Sequence, residues 1–210
     1  MKLIYKFFFS SVAVLFLLPG CKKHTTENVS QVFKVPVIDL KGKEIVALNV
    51  GGTYTDIGAD YIGEDGQTTT IQSTSSNVNV NAPGLYFVTF AKTSTSGIYE
   101  SEAVRRVAVT SVNNPVDYSG TYLREATGVN CYVQKVAPGV YKVTNPGGAA
   151  AGADVVVYYV ETALNTFIAP AQPTTAGDFG VIEIAFTATG ATWRVVNSGY
   201  GTGVRTFVKQ

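Results

Sequence analysis

Pro83-Gly84-Leu85-Tyr86-Phe87-Val88-Thr89-Phe90-Ala91, then the turn Ser94–Gly97 and the run Ala103–Val109, is the stretch that settles the fold class. Proline fixes φ and glycine tolerates positive φ, so Pro83-Gly84 reads as a turn. Leu85–Ala91 carries aromatic and β-branched side chains on both faces, the content of a strand. Ala103–Val109 alternates around Arg105 and Arg106 as a second strand. The whole chain has the same character. After Cys21 it holds 28 Val and 24 Thr but five Leu. β-branched side chains lose rotamer freedom in helices and pack well on pleated surfaces. With a hydrophobic fraction of 46% and no sustained helical period, the chain is expected to be all-β and to bury real cores.

Working outward, Val35–Leu40 and Glu44–Val50 flank the turn-like Lys41-Gly42-Lys43. Glu64-Asp65-Gly66-Gln67 is a strong turn before Thr68–Gln72. Strands recurring about every 8–12 residues between turns indicate a sandwich, here over residues 32–112. Within it, Val50-Gly51-Gly52-Thr53-Tyr54-Thr55-Asp56-Ile57-Gly58-Ala59 resembles the hallmark stretch of a bacterial immunoglobulin-like family. That family occurs in insecticidal crystal toxins and in Bacteroidetes surface proteins. Ala82-Pro83-Gly84-Leu85-Tyr86 and Arg106-Val107-Ala108-Val109 match its later hallmarks. The resemblance implies a seven-stranded sandwich serving as a spacer. The family's Asp and Gly-Asn turn before the last strand is replaced by Ser94–Gly97 and Ile98, so a function tied to that turn is not carried over.

Residues 113–117, with Asn113-Asn114-Pro115, read as a linker. Residues 118–210 form a second unit. Cys131–Val136 and Val140–Thr144 make a hairpin, closed by Asn145-Pro146-Gly147-Gly148 and a small-residue loop. Asp154–Val160 is strongly apolar, and Thr166–Ala169 is a short strand before Pro170 and Pro173. Val181–Thr187 alternates with Ile182, Ile184 and Phe186 on one face, and Ala191–Val196 and Val204–Val208 follow. Six to eight antiparallel strands give a second sandwich or a small barrel.

The first twenty residues read as an address. Met1–Lys6 is basic, Phe7–Leu18 is a twelve-residue run that is apolar apart from two serines, and Leu18-Pro19-Gly20-Cys21 resembles a bacterial lipobox. Residues 1–20 are thus an expected signal peptide, Cys21 the acylated residue, and residues 21–31 a lipidated tether holding the protein at the outer membrane. The tether carries Lys22, Lys23 and His24 where some relatives have an acidic export signal. The membrane face is therefore open, with the cell surface preferred to the periplasmic side. Tether, immunoglobulin-like unit and a β domain that opens on Tyr118–Arg124 and closes on Asn197–Phe207 together resemble a family of Bacteroidetes lipoproteins. Members are encoded beside starch-utilisation-type importers, each a TonB-dependent barrel with a lipoprotein lid. The resemblance implies accessory work in nutrient capture.

Chemistry is bounded by counting. His24 is the one histidine, and Cys131 the one cysteine besides Cys21. The body thus lacks a Ser-His-Asp triad, a Cys-His pair and a His-rich metal site. Removing Lys2 and Lys6 from the 16 basic residues leaves 14 against 15 acidic, a net charge of −1, without a footprint for nucleic acid. Gly199–Gly203 lacks the following helix that a phosphate loop needs, so it reads as a turn. Asp56, Asp60, Glu64 and Asp65 do not have EF-hand spacing and sit where turns favour Asp. Asp117, Glu125, Asp154, Glu161, Asp178 and Glu183 offer no pair that stands out as a glycosidase couple. Neither cofactor nor metal is expected.

Aromatics are the better ligand argument. Tyr158 and Tyr159 are neighbours on one strand and face opposite sides, so they cannot share one core. One of them is expected to be exposed. Trp193 and Tyr200 flank the last turns and are candidates for a ligand surface, although Trp193 is read first as core, facing inward with Val195. Exposed rings would suit sugars or peptide side chains. The expected function is non-enzymatic: an outer-membrane lipoprotein that helps a TonB-dependent importer and its lipoprotein lid capture a glycan or peptide. The alternative is a structural or cell-adhesion protein without a small ligand.

Overall fold

The computed structural model describes residues 34–210. The expected signal peptide, Cys21 and the tether lie outside the described residues. Seven strands form the N-terminal sandwich: β1 (Val37–Leu40), β2 (Ile45–Asn49), β3 (Ala59–Ile62), β4 (Thr68–Ile71), β5 (Ser75–Ser76), β6 (Gly84–Thr93) and β7 (Glu100–Thr110). They make two sheets, ordered β1-β3-β4 and β2-β7-β6-β5. The β2–β7 pair is parallel. Ala59, Val88, Phe90, Val107 and Val109 are the buried centre between them.

The alternation of β7 sends its two adjacent arginines in opposite directions. Arg105 shares the parity of Val107 and Val109 and enters the sandwich. There its guanidinium pairs with Asp56 and donates to the carbonyls of Lys41 and Gly58. The hallmark stretch therefore works as an internal clasp. The four carboxylates near it are dispersed: Asp60 pairs with Lys41, Glu64 accepts from Ser96, and Asp65 accepts from the Gln67 amide. Arg106 leaves by the other face.

Eight further strands follow: β8 (Gly120–Arg124), β9 (Val129–Ala137), β10 (Val140–Thr144), β11 (Val156–Ala163), β12 (Thr166–Thr174), β13 (Gly177–Phe186), β14 (Gly190–Val196) and β15 (Val204–Lys209). Each pairs antiparallel with the next, and β15 returns to β8, closing a barrel. The choice between barrel and sandwich thus falls to the barrel. Its interior is packed with side chains, among them Tyr122, Cys131, Tyr141, Tyr159, Phe179, Trp193 and Phe207. Trp193 stacks on Phe207 with centroids 4.2 Å apart and meets Tyr159 edge-on at 5.7 Å. Thr192, Arg194 and Thr206 face outward. An interior packed with apolar side chains is the reverse of the polar interior of a membrane-spanning barrel.

Two sequence expectations change. Ile182 does not share a face with Ile184 and Phe186: it is exposed, while Ile184 is buried. A bulge between Ile182 and Ala185 puts one extra residue in β13, and Glu183 takes φ 54° there, so the alternation resets. The strand expected to stop at Ala169 continues to Thr174 despite Pro170 and Pro173. Pro170 sits in a second bulge, and its neighbourhood loses the backbone ladder to β11 beyond Val160–Ile168. The buried Gln172 side chain takes over: its Oε1 accepts from the Tyr158 amide at 2.9 Å and its Nε2 donates to the Tyr158 carbonyl at 2.9 Å.

Sandwich and barrel meet along an apolar seam. Leu85 and Ala108, on the outer face of β6 and β7, pack with Val140, Tyr158 and Val160 on the outside of β10 and β11. Arg106 pairs with Glu44, donates to the Pro173 carbonyl at 2.9 Å, and lies over the Tyr158 ring at 5.4 Å. Thr110 donates to the Glu161 carbonyl at 2.7 Å. The 113–117 segment is held too: buried Asn114 donates from Nδ2 to the Glu161 carboxylate at 2.7 Å.

Candidate functional site

The barrel has two differently finished ends. At one, Tyr118, Tyr141, Phe167 and Phe186 fill the opening with mutually contacting rings. At the other, the loops after β8, β10, β12 and β14 gather. The loop after β10 folds inward, and Asn145-Pro146-Gly147-Gly148 is buried throughout. Its last three carbonyls accept from side chains of the barrel strands and of the turn after β8. Trp193 Nε1 donates to Pro146 at 2.7 Å. Arg124 Nη1 and Arg205 Nε donate to Gly147 at 3.1 and 3.0 Å. Thr127 donates to Gly148 at 2.7 Å. Arg205 also donates to the carbonyls of Gly203 and Tyr200. Tyr200 lies flat against this loop, so a Cβ at Gly147 or Gly152 would collide with its ring or hydroxyl.

Beside the folded loop is a cleft of about 470 Å³, lined by Arg124, Asp154, Val155, Ala176, Tyr200 and Arg205 among others. Arg205 is buried and Arg124 partly exposed. Burial first, and the neighbouring Arg124 charge second, hold Arg205 below its ordinary pKa. Tyr200 is pushed up by burial and by Asp154. A second, larger cavity of about 660 Å³ lies between sandwich and barrel along Leu40, Glu44, Arg106 and Pro173. Arg106 is already committed there.

The expected aromatic platform is not formed. Tyr158 and Tyr159 do face opposite ways, yet neither is exposed. Tyr159 enters the barrel core, while Tyr158 enters the seam under the sandwich. Two cores accept what one could not. Trp193 is fully buried and packs inward with Val195, the first reading of that residue. Tyr200 alone of the four reaches the cleft, half-buried, edge-on to Phe179 at 5.0 Å. Arg124 and Arg205 were not singled out by sequence. Their signal was parity: Arg124 is two residues from inward Tyr122, and Arg205 two from inward Phe207. Gly199–Gly203 is a turn between β14 and β15, opened by the Tyr200 amide donating to the Asn197 carbonyl at 3.1 Å. Cys131 is a buried free thiol whose pKa burial pushes up.

Residues 38–109 match the family model described as bacterial surface protein, Ig-like domain. The match lies within the N-terminal sandwich and leaves the barrel outside it. No curated protein matches the chain. Among solved structures, the lipoprotein BT2262 from Bacteroides thetaiotaomicron is similar at 22% identity and a TM-score of 0.39, over 83% of this chain and 100% of that one.

Proposed function

We propose that this chain is a lipid-anchored, non-enzymatic capture protein of the bacterial surface, whose barrel mouth takes a glycan fragment or a peptide for a neighbouring TonB-dependent importer and its lipoprotein lid. The reading rests on one observation above others. The barrel is filled with side chains except at one end, where charged and aromatic groups from four different strands and loops converge on a cleft. Convergent polar groups in a concave, partly apolar site are what small-ligand recognition requires. The Ig-like match to bacterial surface proteins supports the address. In this reading Cys21 carries the lipid and the protein acts without nucleic acid or cofactor.

A structural or adhesive role without a small ligand is favoured by a separate observation: Tyr158, Tyr159 and Trp193 are all buried, so the barrel offers no platform of these rings. One measurement tests the anchor and a second separates the readings. Cys21→Ala should move the protein from the membrane to the soluble fraction, and unchanged fractionation would remove the anchor. Isothermal titration of the full chain against glycan-fragment and peptide panels should yield one saturable class; heat from none of them would leave the adhesive role.

A further inference from the structure

The chain has five arginines. Arg105, Arg106 and Arg194 each pair with a carboxylate: Asp56, Glu44 and Glu183. Arg124 and Arg205 have no carboxylate partner among the described residues, and both line the mouth cleft. Every acceptor they have is a neutral backbone carbonyl. Such carbonyls fix the orientation of a guanidinium and leave its net charge uncancelled. Each guanidinium carries five N–H donors. Arg124 bonds through Nη1, which leaves its Nε and Nη2 without a protein acceptor beside open space. Further in, the Tyr159 hydroxyl is fully buried and has no partner. Two like charges at one partly enclosed site repel, and the arrangement is relieved by an anion between them.

The cleft also limits which anion. Asp154 lines the same wall and makes no ion pair among the described residues. Two guanidinium groups and one carboxylate carry a formal charge of +1, which a monoanion neutralises and a dianion overshoots. Tyr200, Val155 and Ala176 give the remaining wall an apolar character suited to a carbon skeleton. The volume of about 470 Å³ lies within the span of small-molecule sites, roughly 300–1,000 Å³. We propose that the barrel mouth binds the carboxylate of a small organic monoanion. Arg124 and Arg205 form the charged clamp, Tyr200 the apolar wall, and Asp154 the acceptor for ligand hydroxyl or ammonium groups. This deepens the capture reading and rests on it. A uronic acid and a peptide C-terminus share the carboxylate, and the experiment separates them.

Trp193, the one tryptophan of the chain, is bonded to the same loop that both arginines hold, so its fluorescence reports on the mouth. The full chain in detergent is titrated with galacturonate and its methyl ester, with N-acetyl-Ala-Ala and its C-terminal amide, and with inorganic phosphate. One acid is expected to bind saturably, at least about tenfold more tightly than its neutral counterpart, and less tightly as salt is raised. Galacturonate binding assigns the source to acidic glycans, and acetyl-dipeptide binding assigns it to peptide ends. Arg124→Gln should weaken that acid about tenfold or more with an unchanged melting temperature. Should the variant fail to fold, the acid-against-neutral comparison on the unaltered chain decides. Equal binding of acid and neutral forms overturns the carboxylate clamp while leaving the capture reading intact. Phosphate binding as tightly as the acids overturns the assignment to an organic monoanion. An Arg124→Gln protein that binds normally overturns the location, and no response to any probe overturns clamp and capture reading together.

Discussion

Gln172 shows how one side chain can stand in for a stretch of missing ladder. With Pro170 and Pro173 nearby, β12 cannot supply regular backbone partners for Tyr158, and the Gln172 amide supplies both a donor and an acceptor instead. Gln172→Leu keeps nearly the same volume but leaves the buried Tyr158 N–H and C=O unpaired. Each such orphan costs about 1–3 kcal/mol, so urea denaturation should register a loss of about 2–6 kcal/mol. A loss near zero would mean that the ladder does not depend on this side chain. At this scale the sequence was readable where parity alone decides. That Tyr158 and Tyr159 face apart follows from strand geometry. That both are buried does not, because the cover over Tyr158 comes from Leu85 and Ala108, far away in the chain.

Among the elements, β6 and β7 carry the largest share of the architecture. Both strands are buried on two faces: one packs against the opposite sheet of the sandwich, the other against the outside of the barrel. Leu85–Ala91 announced this with apolar residues at consecutive positions. Bulges were not announced. Glu183 holds a left-handed conformation usually left to glycine or asparagine, and nothing in Val181–Thr187 marks it. The register of β13 therefore slipped in the sequence reading although the strand itself was found. The shared sheet predicts coupled unfolding. Unaltered protein should melt in one transition followed alike by circular dichroism and by Trp193 fluorescence. Leu85→Asp buries a charge in the seam, and should split the two signals, with fluorescence, which sees the barrel, melting at the higher temperature. Coincident melting in the variant would count against the seam as the coupling element.

At the level of the whole molecule, the barrel core is rich in tyrosines that must remain neutral. Burial pushes Tyr122 and Tyr141 up to about 12, and Tyr159 well above its ordinary value. An unfolded tyrosine gives up its proton near pH 10. Between that pH and about 12 the folded state holds protons that the unfolded state has lost, so stability is complete below pH 10 and falls as pH rises through the window. Absorbance at a phenolate wavelength should show a late, cooperative class of tyrosines ionising together with loss of the fold. Smooth titration of every tyrosine near pH 10 in folded protein would contradict the packed barrel. All-β class and turns at the glycine-rich segments were legible in composition and spacing, and the seven strands of the first unit in its resemblance to the immunoglobulin-like family. Closure was not, because joining β15 to β8 rests on two register pairs, Val208–Leu123 and Lys209–Tyr122, at opposite ends of the second unit.

That short closing seam also fixes where Gln210 emerges. The Gln210 amide donates to the Thr121 carbonyl at 2.9 Å, at the ring-filled end of the barrel and a full strand length from Arg124 and Arg205. An affinity handle fused after Gln210 would therefore tether the molecule to a sensor chip by its blind end and turn the arginine-lined opening toward the flowing analyte.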